Sequence, residues 1–501
     1  MSDKQYILAI DEGTTGCTSV LIDKAGRIAA KTTDEIKQIF PQPGWVEQDP
    51  LDIFNTALNT ARKVVHLAQA DFSQVKGLGI TNQRETTLVW DRRSGLPVYN
   101  ALVWQCRRTA PLCEELKKRG LKELVKDKTG LLIDAYFSAT KLRWILDNIP
   151  DGQKRAENGE LLFGTVDSWL VWKLTGGLHI TDFSNACRTM LFNIHTLQWD
   201  PELLEILNIP ARLLPAVCPS GCIYGNTRPG WLGEKGIPIG SVIGDQQAAL
   251  FGQACYETGD AKNTYGTGSF LLFNTGLKAI KSEKGLVTTI AWGLQDKIYY
   301  ALEGSIFVTG AAVQWLRDGL KIISNAAESE TLARAVPDTG GVYFVPAFAG
   351  LGAPHWDMYA RGTVLGLTRG TTRQHIVRAT LESIAYQVRD VAEAFQAETG
   401  QSIRQLRVDG GGSANRFLMQ FQSDILNIPI QVAAVNESTA MGAGHLAGLA
   451  GGFWTDKSEL GRLWQASETF EPGMTADQRQ YLYRRWQKAV RHAAGWAEEE
   501  R

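Results

Sequence analysis

The sequence lacks the features that mark several large classes of protein. Its 501 residues carry a formal net charge of −1, which gives no electrostatic footprint for nucleic acid or an anionic membrane. No apolar run approaches the length of a membrane span, and the first apolar stretch stops at Asp11, too early for a signal peptide. The seven cysteines are an odd number without a regular pattern, which favours free thiols in a reducing compartment. We therefore expect a soluble, cytoplasmic protein.

Well-known catalytic signatures are missing as well. There is no Walker A loop, no HRD and DFG set, and no serine elbow with triad partners. No low-complexity linker divides the chain, yet 501 residues exceed one hydrophobic core. We expect two α/β domains, residues 1–250 and 251–501, with a hinge near residue 250. The 50 glycines suit an α/β protein with many tight turns beside ligands.

The most informative stretch lies in the middle, where the apolar segment 239–244 ends at Asp245 and a helical pattern begins. One interpretation makes Asp245 a helix N-cap. The other makes it a carboxylate at the mouth of a cleft between two halves, where open α/β sheets keep their chemistry. Local sequence leaves both open.

Three turns rich in glycine and threonine favour the second interpretation. The first, 11–16, joins strands 6–10 and 18–23, and the second, 265–268, lies within a strand hairpin at 262–274. A glycine triplet at 410–412 follows strand 406–409. Each turn alone is weak evidence, since an Asx-type turn explains it equally well. Two such turns facing each other across a cleft would clamp a phosphate chain from both sides.

Other segments place polar residues beside these turns. Strand 75–81 leads to Arg84 and Glu85, which form either a solvated salt bridge or a polar pair aimed at a hydroxylated ligand. We predict helices at 50–67, 304–318 and 375–395, and a helix rich in small residues from 437. A lone central aspartate with phosphate-type turns describes phosphoryl transfer, in which a carboxylate accepts the hydroxyl proton.

Two longer motifs carry a resemblance to a known family. Residues 136–148 (YFSATKLRWILDN) resemble the first signature of the FGGY carbohydrate kinases. Residues 362–366 (GTVLG), running to 375–382 (HIVRATLE), resemble the second. The similarity extends over essentially the whole chain, and segments 82–87, 244–247 and 409–415 resemble the members that phosphorylate glycerol. The family implies two actin-like, hexokinase-like (ribonuclease H-like) domains around a central cleft, with ATP and Mg²⁺ between them.

The resemblance also implies the site residues. It implies Asp245 as the general base, and Asp11 with Asp245 as ligands of Mg²⁺ through water. The implied glycerol-binding residues are Arg84, Glu85, Trp104, Tyr136, Asp245, Gln246 and Phe270. The implied nucleotide-binding residues are Thr14, Thr15, Gly266, Thr267, Gly310, Gln314, Gly411 and Asn415.

The chain departs from the family pattern at the first turn. Thr18 stands where an arginine is expected to reach the nucleotide phosphates, and Glu12, in place of glutamine, adds a negative charge. We expect either weaker ATP binding or another cation in that role, with Lys141, Arg188 and Arg369 as candidates.

Two further functions stay open at this point. The same fold could phosphorylate another small polyol or a ketose, although the Arg84–Glu85 pair with Trp104 favours the small triol. Alternatively the protein could be a nucleotide-binding sensor without transferase activity, which the departure at Thr18 favours and the intact Asp245 opposes. A homo-oligomeric state, dimer or tetramer, is also left open.

Overall fold

The computed structural model describes residues 4–498 and shows a mixed α/β protein, as the sequence predicts. One large sheet of 13 strands forms the centre of this part of the chain, and helices pack on it. No helix in the described range is both long and apolar enough to cross a membrane.

The strands are numbered in chain order through residues 4–498. They are β1 Tyr6–Glu12, β2 Gly16–Asp23, β3 Ile28–Glu35, β4 Glu47–Gln48, β5 Val75–Asn82, β6 Leu88–Asp91, β7 Ala101–Leu102, β8 Leu161–Gly164, β9 Ile180–Asp182, β10 Phe192–Asn193, β11 Gln198–Trp199, β12 Ala216–Cys218, β13 Gly221–Asn226, β14 Pro238–Gly244, β15 Ala261–Tyr265, β16 Ser269–Gly276, β17 Val287–Leu294, β18 Lys297–Ile306, β19 Tyr343–Val345, β20 Thr363–Leu365, β21 Leu406–Asp409, β22 Ile430–Ala433 and β23 Ala466–Phe470.

The α-helices are numbered in the same way. They are α1 Pro50–Leu67, α2 Ala110–Lys118, α3 Lys122–Thr129, α4 Ser138–Asn148, α5 Gly152–Glu157, α6 Val166–Thr175, α7 Phe183–Ala186, α8 Pro201–Ile206, α9 Asp245–Gly252, α10 Gly310–Asp318, α11 Glu328–Arg334, α12 Arg373–Thr399, α13 Arg416–Leu426, α14 Ser438–Ala450, α15 Lys457–Leu463 and α16 Ala476–Ala493.

The pairing of strands repeats between the two halves of the large sheet. In the first half β2 pairs antiparallel with β1 and β3, while β5 lies parallel to β1 and β14 parallel to β5. In the second half β16 pairs antiparallel with β15 and β18, while β21 lies parallel to β15 and β22 parallel to β21. A three-stranded meander followed by two parallel strands therefore occurs twice. The halves join where β13 pairs with β17.

This repeat places the predicted site segments at the carboxyl ends of parallel strands. Arg84 follows β5 and Asp245 follows β14, while the first turn follows β1. In the second half, the turn 266–268 follows β15 and the glycine triplet follows β21. Neighbouring parallel strands end at the same edge of a sheet, which is where open α/β sheets bind ligands.

Helix α14 lies directly against the sheet and against α9 because its sequence is rich in glycine and alanine. A Cβ atom added to Gly442 would lie 1.9 Å from the carbonyl oxygen of Ala248 in α9. A Cβ atom on Gly79 of β5 would lie 2.3 Å from the carbonyl oxygen of Ala443 in α14. The predicted helix rich in small residues is confirmed, and its small side chains allow close packing on both neighbours. It fixes α9, which begins with Asp245, relative to β5, which leads to Arg84.

Most of the predicted elements agree with the structure. Helix α1 has the predicted bounds, and the helix predicted at 375–395 lies within α12. The helix predicted at 304–318 is wrong in its first part, because β18 continues to Ile306 and α10 begins at Gly310. Gly304 pairs with Leu271 of β16, and a Cβ atom there would lie 2.2 Å from Val391 in α12. Close approach of a helix, rather than a helical backbone, accounts for this glycine. Residue 250 lies inside α9, and a domain division there stays a prediction.

Candidate active site

Arg84 and Asp245 meet where β5 and β14 end. The Arg84 Nε lies 3.1 Å from a carboxylate oxygen of Asp245, and an Arg84 Nη donates to the Tyr136 hydroxyl at 3.4 Å. Glycine is required at 244, because a Cβ atom there would lie 2.7 Å from the Cγ of Arg84. The structure thus brings together three of the implied glycerol-binding residues. This set is called the acceptor residues below: Arg84, Glu85, Trp104, Tyr136, Asp245, Gln246 and Phe270.

Asp245 is the first residue of α9, and Gly244 occupies the N-cap position, so the N-cap interpretation of Asp245 is wrong. One carboxylate oxygen of Asp245 accepts the N–H of Gln246 at 2.7 Å. The side chain keeps 29% of its surface exposed, whereas the side chain of Arg84 keeps only 2%. The carboxylate of Asp245 is therefore held in place by a buried arginine and remains accessible to a ligand.

Behind Arg84 lies a buried cluster of four charged side chains. Two Nη atoms of Arg84 donate to the two carboxylate oxygens of Glu303, at 2.6 and 3.1 Å. Arg188 donates to Glu303 at 3.1 Å and to Glu85 at 2.6 Å. All four side chains are at most 2% exposed. The cluster therefore fixes Arg84 and Glu85 through charge-assisted hydrogen bonds between oppositely charged side chains.

The charge balance of this cluster depends on Glu303. Burial alone would raise the pKa of Glu303, but Arg188 and Arg84 outweigh burial and lower this pKa to about 2. The pKa of Glu303 in the folded protein lies below the ordinary value for glutamate. The ionised carboxylate therefore stabilises the fold at any pH above that ordinary pKa. This contribution is lost as the pH falls towards about 2.

Two aromatic side chains lie beside these polar groups. The rings of Trp104 and Tyr136 meet edge to face, with centroids 5.5 Å apart. The indole N–H of Trp104 donates to the Thr14 hydroxyl at 2.8 Å. The first turn is thereby bonded to the acceptor residues, and Thr15 is exposed next to it. No hydrogen bond among residues 4–498 joins this turn directly to the second turn.

The remaining acceptor residues are placed by α9 and by the sheet. Gln246 follows Asp245 in α9 and is partly exposed. Phe270 on β16 lies opposite Thr264 of β15, and it packs beside the apolar cluster around Phe251.

The second turn, the start of α10 and the glycine triplet form one group. The Gly266 carbonyl accepts the N–H of Gly310 at 3.0 Å. A Cβ atom on Gly410 would lie 2.5 Å from the carbonyl oxygen of Tyr265, so the triplet lies against the second turn. Gly411 is exposed, and a Cβ atom there would meet nothing within 4 Å. Open space above a glycine leaves room for a flat ligand.

The other predicted nucleotide-binding residues border this group. Thr267 is exposed at the second turn, and Gln314 is exposed on α10 one helical turn after Gly310. Asn415 is the N-cap of α13, where its side-chain oxygen accepts the N–H of Leu418 at 3.0 Å. The structure therefore gathers this set in the second half of the molecule, apart from Thr14 and Thr15.

Two acidic residues of the site carry raised pKa values. Burial, together with the nearby carboxylates of Asp245 and Glu437, raises the pKa of Asp11 to about 8. Burial also raises the pKa of Asp245, against the lowering effect of Arg84. The carboxyl groups of Asp11 and Asp245 are thus close enough to repel each other, and a cation between them would be favoured.

The two departures from the family pattern at the first turn, Glu12 and Thr18, lie in different surroundings. The side chain of Glu12 is fully buried, and burial raises its pKa well above the ordinary value. Burial therefore opposes a negative charge on this carboxyl, and the charge that Glu12 adds to the turn stays a prediction. Thr18 lies 2.9 Å from the hydroxyl of Thr33 and lines, with Thr15, a cavity of about 590 Å³.

Two of the three cations predicted as substitutes for the missing arginine are occupied elsewhere. Lys141 is buried and donates to the backbone carbonyls of Tyr136 and Phe137, and Arg188 belongs to the charged cluster. Arg369 is exposed in the turn before α12. Neither Lys141 nor Arg188 is free to reach a phosphate.

Family models match both halves of the chain. The N-terminal domain of the FGGY family of carbohydrate kinases matches residues 6–252, and the C-terminal domain matches residues 261–451. The chain belongs to the FGGY family of carbohydrate kinases. The resemblance carried by 136–148 and 362–382 is confirmed, and with it the two-domain fold of this family.

Similar proteins within the FGGY family carry a more specific name. Glycerol kinase 2 of Thermotoga maritima is 59% identical over 98% of this chain and 99% of its own length. Glycerol kinase of Symbiobacterium thermophilum is 58% identical over 99% of this chain and 100% of its own length. The crystal structure of Plasmodium falciparum glycerol kinase with ADP superimposes with a TM-score of 0.92, at 37% identity over 98% of both chains.

Sequence reasoning missed Glu303 and Gln247 and gave Arg188 a different role. Gln247 accepts from Arg84 at 3.2 Å and donates to Thr289 at 3.1 Å, which adds a further anchor to the arginine. A signal was available for Glu303, because it is a lone charge inside the apolar segment 300–308. No local pattern marks Arg188.

The charged cluster gives a prediction about stability. Replacing Glu303 with glutamine removes the carboxylate shared by two buried guanidinium groups and leaves both without full compensation. We expect the free energy of unfolding to fall by about 3–5 kcal/mol, measured by denaturant unfolding at pH 7. The matched control is Glu114→Gln, whose carboxylate pairs with Lys117 on the surface at 2.8 Å. That change should cost about 0–1 kcal/mol. Equal effects of the two substitutions would contradict the assigned role of Glu303.

Proposed function

We propose that this FGGY kinase transfers the γ-phosphoryl group of ATP to glycerol, giving sn-glycerol 3-phosphate and ADP. The observation that carries the proposal is the accessible carboxylate of Asp245, bonded to Arg84 and bordered by Glu85, Trp104 and Tyr136. Arg84, Glu85 and Asp245 can bond the three hydroxyls of glycerol. The rings of Trp104 and Tyr136 can cover its short carbon chain. The names and near-complete coverage of the relatives support the same acceptor.

Asp245 would act as the general base. The terminal hydroxyl of glycerol gives its proton to the Asp245 carboxylate as its oxygen forms the new bond to the γ-phosphorus. The bond from that phosphorus to the bridging oxygen breaks, and ADP leaves with the electron pair. Burial raises the pKa of Asp245, which makes the carboxylate a better proton acceptor than an exposed aspartate.

Asp11 and Asp245 fit a divalent cation. Burial raises both pKa values, and the carboxylate of Asp245 also raises the pKa of Asp11, a repulsion that a cation would relieve. No group of three or more metal-ligating side chains exists within residues 4–498, and Mg²⁺ commonly uses one or two carboxylates together with phosphates and water. When bound, Mg²⁺ would neutralise phosphate charge. Asp11 and Asp245 would hold it, through water, between the end of β1 and the start of α9.

The nucleotide would lie across the two glycine-rich regions. Thr14 and Thr15 would contact the phosphates from the first half, and Gly266, Thr267 and Gly310 from the second. Gly411, Gln314 and Asn415 would border the nucleoside. The exposed Gly411 with open space above it supports this placement.

All seven cysteines are free, which supports the expected cytoplasmic location.

The first test of this function removes the base. Asp245→Asn keeps the size of the side chain but cannot accept the proton, so kcat should fall by about 10²–10⁴-fold. Glycerol and ATP should still bind, as measured by calorimetry beside a coupled assay of ADP release. Asp477→Asn on the surface helix α16 serves as the matched control. Near-normal turnover by the Asp245 variant would show that another group takes the proton.

The second test concerns the choice of acceptor. Propane-1,2-diol lacks one terminal hydroxyl and would leave a buried charged partner, Arg84 or Glu85, without its hydrogen bond. We expect kcat/KM for this diol to be about 10²-fold or more below that for glycerol. Xylulose in the same assay tests the alternative of a ketose acceptor. Comparable values for glycerol and the diol, or a preference for the ketose, would overturn the acceptor assignment.

A further inference from the structure

Lys262 is a buried cation between the acceptor residues and the second turn. Its side chain is fully buried on β15, and its Nζ donates to Gln246 Oε1 at 2.6 Å. It also donates to the Thr264 hydroxyl at 3.0 Å, since residues two apart on a strand share a face. Gln246 lies on α9 and Thr264 on β15, so Lys262 joins the first half of the molecule to the second.

These two bonds determine how Gln246 and Thr264 face the cleft. An ammonium group has three donors and no acceptor, so the atom of Gln246 that meets Lys262 must be the amide oxygen. The NH₂ group of Gln246 then points away from the lysine and is left to donate. Thr264 uses a lone pair towards Lys262, which leaves its O–H to donate as well. Both side chains are partly exposed, unlike the lysine.

The surroundings keep Lys262 charged at neutral pH. Burial and, to a smaller extent, Arg84 lower its pKa, while Asp409, Asp245 and Glu303 raise it, and the balance leaves the pKa at about 8. An uncharged lysine would hold the amide of Gln246 more weakly. The charge thus strengthens both hydrogen bonds.

We propose that Lys262 is a positioning residue that fixes Gln246 and Thr264 as hydrogen-bond donors towards the acceptor and the phosphoryl group passing to it. This inference rests on the proposed function. Lys262 itself is too deeply buried to touch either substrate, so its effect passes through the two neighbours.

The test measures glycerol phosphorylation by Lys262→Met, which keeps the length of the side chain and removes its donors. We expect kcat/KM for glycerol to fall about tenfold or more, the size of one charged hydrogen bond. The KM for ATP should change by less than about threefold, because the nucleotide residues are not bonded to Lys262. The matched control is Lys128→Met, which removes a lysine paired with Asp200 and Glu202 and should behave like the wild type.

A background that lacks both neighbours separates positioning from a purely structural role. In a Gln246→Ala, Thr264→Val protein, adding Lys262→Met should leave kcat/KM nearly unchanged, because the groups it positions are already absent. A further tenfold loss in that background would overturn the proposal, as would wild-type kinetics of Lys262→Met alone. A wild-type protein that does not phosphorylate glycerol would instead overturn the proposed function.

A second variant carries the test if Lys262→Met does not fold. Gln246→Glu keeps a partner for the lysine but presents no N–H to the cleft. The proposal expects the same fall of about tenfold or more in kcat/KM for this variant. Unchanged kinetics would overturn the proposal.

Discussion

The site depends on the carboxylate of Glu303 and its two guanidinium partners. Glu303 comes from β18 in the second half, whereas Arg84 and Arg188 belong to the first half. Burying two arginines is strongly unfavourable without enough counter-charge, and the Glu303 carboxylate of the second half hydrogen-bonds both of them. Arg84 in turn bonds Asp245, and Arg188 bonds Glu85. The acceptor residues therefore reach their geometry only when the two halves are packed together.

The repeated strand pairing explains why the remaining parts of the site lie where they do. Each half places a glycine-rich turn after the first strand of its meander, and the parallel strands beside that turn carry further polar residues. In the first half these are Arg84 and Asp245, which suit a hydroxylated acceptor. In the second half they are the glycine triplet and Asn415, which leave space for a nucleoside. In the proposed reaction one strand arrangement would thus serve two different ligands, with Lys262 between the two groups of residues.

Much of this site could be predicted from sequence because its signals are local. Asp245 ends an apolar segment, and glycine and threonine cluster in the turns that approach a ligand. The predicted polar pair Arg84 and Glu85 also follows directly from its position after a strand. Glu303 is marked only as a lone charge in an apolar segment, and Gln247 and Lys262 carry no local pattern, because the roles of all three arise from contacts between segments far apart in the chain. The burial of Glu12 was equally hidden, since only the fold shows that this side chain lies in the interior.

We infer that the Arg188–Glu303 pair positions the acceptor residues rather than only stabilising the core. Calorimetric titration of glycerol into an Arg188→Met, Glu303→Met double variant tests it directly. Removing both charges together keeps the charge balanced, since Arg84 and Glu85 remain 3.7 Å apart as an oppositely charged pair, and methionine keeps a similar volume, so the variant should fold. We expect glycerol to bind this folded variant about tenfold or more weakly than the wild type, because Arg84 and Glu85 lose their anchors. Glycerol affinity equal to that of the wild type would show that the pair only stabilises the core and does not position the acceptor residues.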